Sequence, residues 1–233
     1  QEQPKFPLVP GMEIAGIVDS VSLGTNADLI GARVAGFSGQ GGMAEYVTVP
    51  KSHLVEIPDS TSFETAAAVQ IAYGTSHLAL VDRAKLQSGE RLIVSGASGG
   101  VGLTAVEIGN ALGAEVIAVA RGDTKRAIAA RAGAHYTVDA DNPDLVTAIR
   151  NIGRCNVVYD AVGGGFFTAA MRCVTPEARL LTIGFASGDV PQIPANHLLV
   201  KNISVMGLYW GGVLKYAPQK VFNSIVQVFE LVA

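Results

Sequence analysis

The run Gly96-Ala97-Ser98-Gly99-Gly100-Val101-Gly102 follows an apolar stretch at 91–95 and opens a helical pattern at 99–112. A strand that turns directly into a helix on glycines brings its backbone amides toward one point at the positive end of that helix, and this arrangement receives a pyrophosphate. With Ala97 at its first position the run is an A-x-G-x-x-G variant of the dinucleotide fingerprint. Gly113-Ala114 and a second apolar stretch at 115–120 complete a strand–helix–strand unit, which is the context the motif requires. A tight turn packed for its own sake is the competing reading, and the context weighs against it.

The same rhythm continues. Strand patterns at 91–95, 115–120, 135–138, 156–159, 179–183 and 203–208 alternate with helical patterns at 99–112, 123–132, 144–151 and 166–173. Six strands linked by helices predict an α/β, doubly wound parallel sheet of the Rossmann type. Before residue 65 the style differs. Short β-like runs at 13–20, 33–37, 44–49 and 53–57 are separated by Ser38-Gly39-Gln40-Gly41-Gly42 and closed by Pro58-Asp59, which predicts a small antiparallel region. A helix is expected over 62–80, with Ser62 as its N-cap and Glu64 in its first turn, and Gly74 marks a break within it. From Tyr216 onward Val221, Phe222, Ile225, Val226 and Phe229 give one apolar helical stripe. The expected division is residues 1–65, a partial β domain; 66–210, a dinucleotide-binding domain; and 211–233, the start of a helix returning to the first domain. The sequence opens one step before a strand and stops inside a helix without a cap, so it is expected to be cut at both ends.

Composition narrows the function. Of 233 residues, 16% are charged, and the net charge is −3 with no Lys/Arg cluster, which argues against a nucleic-acid footprint. No apolar run approaches the roughly 20 residues of a membrane span. No basic segment followed by an apolar one opens the chain, and the two cysteines, Cys155 and Cys173, read as buried and reduced in a cytoplasmic protein.

The end of the second strand bears on the nucleotide. An NAD site usually carries an acidic residue there, whereas this strand runs into Arg121, with Lys125 about one helical turn later. A guanidinium suits a 2′-phosphate and gives little to a bare hydroxyl, so NADPH is the expected cofactor. Asp123 opposes this unless it points away as the cap of the next helix, and a merely solvated Arg121 is the alternative.

The chain resembles the zinc-free quinone oxidoreductases, the zeta-crystallin-like family of the medium-chain dehydrogenases/reductases. The resemblance is carried by Val9-Pro10-Gly11-Met12-Glu13-Ile14-Ala15-Gly16, Gly42-Met43-Ala44-Glu45-Tyr46-Val47, Tyr73-Gly74-Thr75, the glycine turn and Val157-Val158-Tyr159-Asp160-Ala161-Val162-Gly163-Gly164. Ile183-Gly184-Phe185-Ala186-Ser187-Gly188, Gln192-Ile193-Pro194-Ala195-Asn196, Lys201-Asn202-Ile203-Ser204-Val205 and Gly207-Leu208-Tyr209-Trp210-Gly211 extend it. It implies a GroES-like catalytic domain, present here in part, wrapped around the Rossmann domain, with the cofactor in the cleft between them. It implies cofactor contacts at Thr75, at Ala97, Ser98, Gly99, Gly100, Val101 and Gly102, and at Arg121 and Lys125. Toward the nicotinamide it implies Val162, Gly163, Phe185, Leu208 and Tyr209. A tyrosine often found near the adenosine is replaced by Ala140. Relatives often dimerise through the last strand of the sheet, here 203–208, so a homodimer is implied.

Zinc alcohol dehydrogenases of the superfamily carry Gly-His-Glu where this chain has Gly11-Met12-Glu13, and a thioether is a poor zinc ligand. Two cysteines cannot build a four-cysteine zinc lobe. His53, His77, His135 and His197 fall at no metal-like spacing and read as loop or partly exposed histidines. No metal is therefore expected. Hydride addition to an isolated ketone creates an alkoxide that needs a Lewis acid or a strong proton donor. Addition to a quinone or an α,β-unsaturated carbonyl spreads the charge into a phenolate or enolate. A small quinone is thus the first expected substrate. A reductase of enones, or of enoyl or acrylyl thioesters, is the second reading, and a non-catalytic NADPH-binding protein the third. No residue is assigned a catalytic role. Tyr73 is a candidate donor with aromatic packing as its rival, Tyr46 reads as β-domain core, and Tyr209 and Trp210 either line the substrate pocket or pack a strand end.

Overall fold

A computed structural model describes residues 6–232. The chain forms two compact units, Gln1–Gly74 with Trp210–Ala233 and Thr75–Tyr209.

In the first unit β1 (Glu13–Ile17), β2 (Arg33–Phe37) and β3 (Leu54–Glu56) form an antiparallel sheet in that order. Two hydrogen bonds anchor β1 to α1 (Phe63–His77): Glu13 Oε1 accepts from the Ile71 amide at 2.7 Å, and Gln70 Nε2 donates to the Ile14 carbonyl at 3.0 Å. Burial raises the Glu13 carboxyl above its ordinary value, and the Ile71 amide opposes that shift. α7 (Trp210–Tyr216) and α8 (Pro218–Val232) complete the unit, with Trp210 edge-on to Phe37 at 5.1 Å and Phe222 stacked on His53 at 6.0 Å. The stripe Val221, Phe222, Ile225 and Phe229 is buried as expected, while Val226 is 44% exposed.

Three expectations need correction here. The 44–49 segment is not a strand: it lines an open groove also lined by β1, and among the described residues no backbone ladders onto it. Gly74 is no break. α1 runs through it, and glycine is needed because a Cβ would lie 2.8 Å from both Trp210 Nε1 and Ile225 Cδ1. Tyr46 is 77% exposed rather than core. The N-cap reading holds, since Ser62 Oγ accepts from the Thr65 amide at 3.1 Å.

The second unit takes in the last residues of α1 and then a π-helical segment, Leu78–Arg83. Its sheet contains β4 (Arg91–Ser95), β5 (Glu115–Ala120), β6 (Tyr136–Asp139), β7 (Cys155–Asp160), β8 (Val174–Thr182) and β9 (Ser204–Gly207), all parallel, in the order β6-β5-β4-β7-β8-β9. This is the expected doubly wound sheet. The connections carry α2 (Gly100–Ala111), α3 (Asp123–Arg131), α4 (Leu145–Ile152), α5 (Gly164–Ala170) and α6 (Ala195–Lys201). Leu92, Ile93, Val94, Val116, Ile117 and Val158 are fully buried, as the continuous apolar runs of a sheet covered on both faces require. α6 and α7 were not expected.

Cys155 and Cys173 are free and buried. Burial, first, pushes the Cys155 thiol up to about 12, and burial also raises Cys173. A disulfide-exchange reagent at about pH 8 is expected to label neither thiol in the native protein and both after unfolding. Rapid labelling of the folded chain would contradict that burial.

Candidate functional site

Every residue that the sequence assigns to the cofactor lies in the Thr75–Tyr209 unit. β4 sits at the centre of its sheet, with β5 and β6 on one side and β7, β8 and β9 on the other. The chain reverses its direction of travel between β4 and β7, and the crevice beyond the carboxyl ends of such a pair is where open α/β sheets take ligands.

On the β4 side the glycine turn is held by its own backbone. Gly96 has φ +58°, the Ala97 amide donates to the Val119 carbonyl at 3.2 Å, and the Gly99 amide donates to the Gly96 carbonyl at 2.9 Å. The buried Ala97 side chain pins the turn to the sheet. The glycines divide by role. A Cβ on Gly102 would sit 2.1 Å from the Gly96 carbonyl oxygen, so Gly102 lets the helix approach the turn. A Cβ on Gly99 would meet only that oxygen, at 3.3 Å, and one on Gly100 would meet nothing within 4 Å. Those two keep an exposed backbone surface clear. Gly99 caps α2 without a side-chain hydrogen bond, and the first turn holds no acidic residue, so its positive end is not neutralised locally.

The β7 side is built around a residue whose role the sequence did not reveal. Asp160 ends β7 and is 1% exposed. Its Oδ1 accepts from the Val162 amide at 2.9 Å and the Gly163 amide at 3.1 Å, its Oδ2 accepts from Gly163 at 3.1 Å, and Ser95 Oγ also donates to Oδ1. Ser95 Oγ accepts in turn from the Ala161 amide at 3.1 Å. The loop after β8 zips onto the same segment: the Ala186 amide donates to Ala161 at 3.1 Å, and the Ser187 amide to Val162 at 3.0 Å. Gly163 has φ +75°, and a Cβ there would lie 2.7 Å from the Asp189 carbonyl oxygen. Beneath the turn, Ser76 Oγ meets Thr104 Oγ1 and Tyr159 OH, each at 2.8 Å, and donates to the Val101 carbonyl at 2.9 Å. Burial raises the Tyr159 hydroxyl well above its ordinary value, with the Ser76 bond opposing, so it stays protonated and structural. This network holds the segment containing buried Thr75 against α2.

At the end of β5, Arg121 pairs with Asp141 at 2.9 Å, both side chains being largely exposed. Asp123 is not the cap of α3. Gly122 takes that place at φ +77°, and Asp123 pairs instead with Arg126, which also pairs with Asp139. The Asp141 amide, then those of Gly122 and the Arg126 side chain, hold the Asp139 carboxyl below its usual range. Lys125 is exposed in the first turn of α3 and forms no ion pair among the described residues.

The remaining assigned residues follow the ends of β8 and β9. Phe185 is 42% exposed and Tyr209 is 75% exposed, while Leu208 is buried and its amide donates to the Thr182 carbonyl at 3.1 Å. Trp210 belongs, with Phe37, to the first unit and is buried against it there, so packing is its role. Among the histidines His77 corrects the expectation of exposure. It is buried at the end of α1, and burial lowers its pKa. No group of three or more His, Cys, Asp or Glu among the described residues is arranged to hold a metal ion. No described helix is long and apolar enough to cross a membrane.

The chain thus carries a Rossmann unit and a small antiparallel sheet. A family model described as zinc-binding dehydrogenase matches residues 100–229, and the alcohol dehydrogenase GroES-like domain matches residues 1–59. Quinone oxidoreductase-like protein 2 homolog of Nematostella vectensis is 40% identical over 99% of this chain and 64% of its own length. Quinone oxidoreductase of Pseudomonas aeruginosa is 33% identical over 98% of this chain and 72% of its own length. Among solved structures, the Escherichia coli quinone oxidoreductase complexed with NADPH superimposes with a TM-score of 0.86 at 26% identity, covering 99% of this chain and 72% of that one. This chain belongs to the medium-chain dehydrogenase/reductase superfamily and, within it, to the quinone oxidoreductase-like family. It spans 64% and 62% of the length of two quinone oxidoreductase-like protein 2 relatives.

Proposed function

We propose that this protein is a zinc-independent, NADPH-dependent oxidoreductase that passes hydride to small quinones. The observation that carries the reading is the pairing of an open glycine turn at the sheet's switch point with Arg121 at the end of the next strand. The turn fits a pyrophosphate, because Gly99 and Gly100 leave the approach clear and the first amides of α2 face no side-chain cap. Arg121 and Lys125 supply the positive charge that a 2′-phosphate needs. Val162, Gly163, Phe185, Leu208 and Tyr209 sit at the ends of the strands beyond the switch point, where a nicotinamide half would extend.

Bound NADPH would supply the hydride. The chain's own contribution is to hold the dinucleotide extended over the strand ends and to exclude misoriented substrate. A quinone that accepts hydride becomes a phenolate, a weak base that takes its proton from solvent. Such a reaction does not require a dedicated acid, and Met12 at the position of the zinc-binding histidine agrees with chemistry that needs no Lewis acid.

The test is anaerobic NADPH oxidation by the full chain with a quinone, an enone, an enoyl thioester and a saturated ketone side by side. Fast turnover of the quinone with none of the ketone is expected. Preference for the enone or thioester would move the assignment to conjugate reduction of those substrates, and tight NADPH binding with no turnover would make the protein a non-catalytic binder.

A further inference from the structure

We infer that Asp160 is a positioning residue for the nicotinamide half of the cofactor, setting the loop after β7 against the glycine turn through Ser95. The inference rests on the proposed NADPH site and adds a residue to it.

Burying the Asp160 carboxylate is costly. A carboxylate that is 1% exposed, with no cation within ion-pair distance among the described residues, loses most of its hydration. Directed donors must replace it, and here they are the Val162 and Gly163 amides and the Ser95 hydroxyl. All three belong to functional edges. Val162 and Gly163 form the turn that leads into α5, and Ser95 is the last residue of β4, immediately before Gly96. One side chain therefore ties together the two strand ends that flank the switch point.

The tie is directional. Ser95 Oγ donates to Asp160 and accepts from the Ala161 amide, so the hydroxyl has a single consistent orientation. From the other side the loop is held by Ala186, Ser187 and the Asp189 carbonyl, which receives the Gly164 amide at 3.1 Å. A would-be Cβ on Gly96 would also sit 3.1 Å from Val162 Cγ2, so the turn and the loop are already near contact. A change in the height of the Val162-Gly163 loop therefore alters the floor on which the distal half of an extended dinucleotide lies. The adenosine end, by contrast, depends on the turn amides, Arg121 and Lys125.

An asparagine cannot reproduce the arrangement. If its oxygen takes the place of Oδ1, its NH2 replaces Oδ2 and faces the Gly163 amide, donor against donor. The loop must then shift to relieve the clash.

The test compares two ligands on the full chain: NADPH, and adenosine 2′,5′-bisphosphate, which lacks the nicotinamide half. Asp160→Asn is expected to weaken NADPH by about tenfold or more while leaving the bisphosphate within about twofold. Ser95→Ala removes both hydrogen bonds of that hydroxyl, the one to Asp160 and the one from the Ala161 amide, keeps the carboxylate, and should show the same split at about threefold. It decides the matter if Asp160→Asn does not fold. Equal weakening of both ligands would reduce Asp160 to general stability and overturn the inference, as would no change in either. If the unsubstituted chain binds neither ligand, the NADPH reading itself fails, and this inference falls with it.

Discussion

Gly99→Val is expected to reduce NADPH affinity by about 100-fold or more while the chain stays folded. Gly99 has φ −87° and ψ 170°, a conformation open to any residue, and its would-be Cβ meets only the Gly96 carbonyl oxygen at 3.3 Å. The stability cost is that of a poor N-cap, about 1 kcal/mol. The branched side chain instead fills the exposed approach to the first amides of α2. Gly102→Ala serves as the contrast. Its Cβ would lie 2.1 Å from the Gly96 carbonyl oxygen, so the turn itself must open, and overpacking of about 1–3 kcal/mol accompanies the loss of binding. Calorimetric titration beside thermal denaturation separates the two. Retained tight binding in Gly99→Val would show that the turn is not the phosphate site.

Arg121→Asp should shift the cofactor preference from NADPH toward NADH. A hydrogen bond to a charged group contributes about 1.5–3 kcal/mol, so its loss weakens NADPH by about 10- to 150-fold. A carboxylate at that strand end accepts from ribose hydroxyls, which favours the unphosphorylated nucleotide. The existing Arg121–Asp141 pair does not block this role. Its side chains are 74% and 59% exposed, and exposed pairs contribute at most about 1 kcal/mol, so a phosphate carrying more charge displaces the carboxylate. Arg126 is less free, being held by both Asp123 and Asp139. An unchanged ratio of the two dissociation constants would remove Arg121 from the 2′-phosphate site.

What the sequence made legible follows from how locally each feature is encoded. β2, β4 and β5 lie where their apolar runs predicted, because a strand buried on both faces leaves a continuous hydrophobic record. The glycine turn was legible for the same reason: its conformational needs sit in consecutive residues. α6 was missed because Leu199 and Val200 are each 78% exposed, so its sequence shows no stripe turned to a core. α7 was missed because Gly211 and Gly212 follow Trp210 in its first turn. The 44–49 segment reads as a strand by alternation, yet a strand also needs a neighbour, and none of the described residues supplies one. Within the candidate site, Arg121 was legible by its distance from the turn. Its partner Asp141, twenty residues on, was not. Asp160 was visible only as part of a motif, since Ser95 lies 65 residues away and the bond between them exists only after β4 and β7 pair.

On this reading the glycine turn and Arg121 together form a site for a 2′-phosphorylated dinucleotide. Equilibrium titration of the full chain with NADPH and with NADH, followed by nicotinamide fluorescence, tests it most directly. NADPH is expected to bind at least about tenfold more tightly than NADH, with the gap narrowing as salt rises. Equal affinity for the two, or binding of neither, would rule out a 2′-phosphate site at Arg121 and the turn.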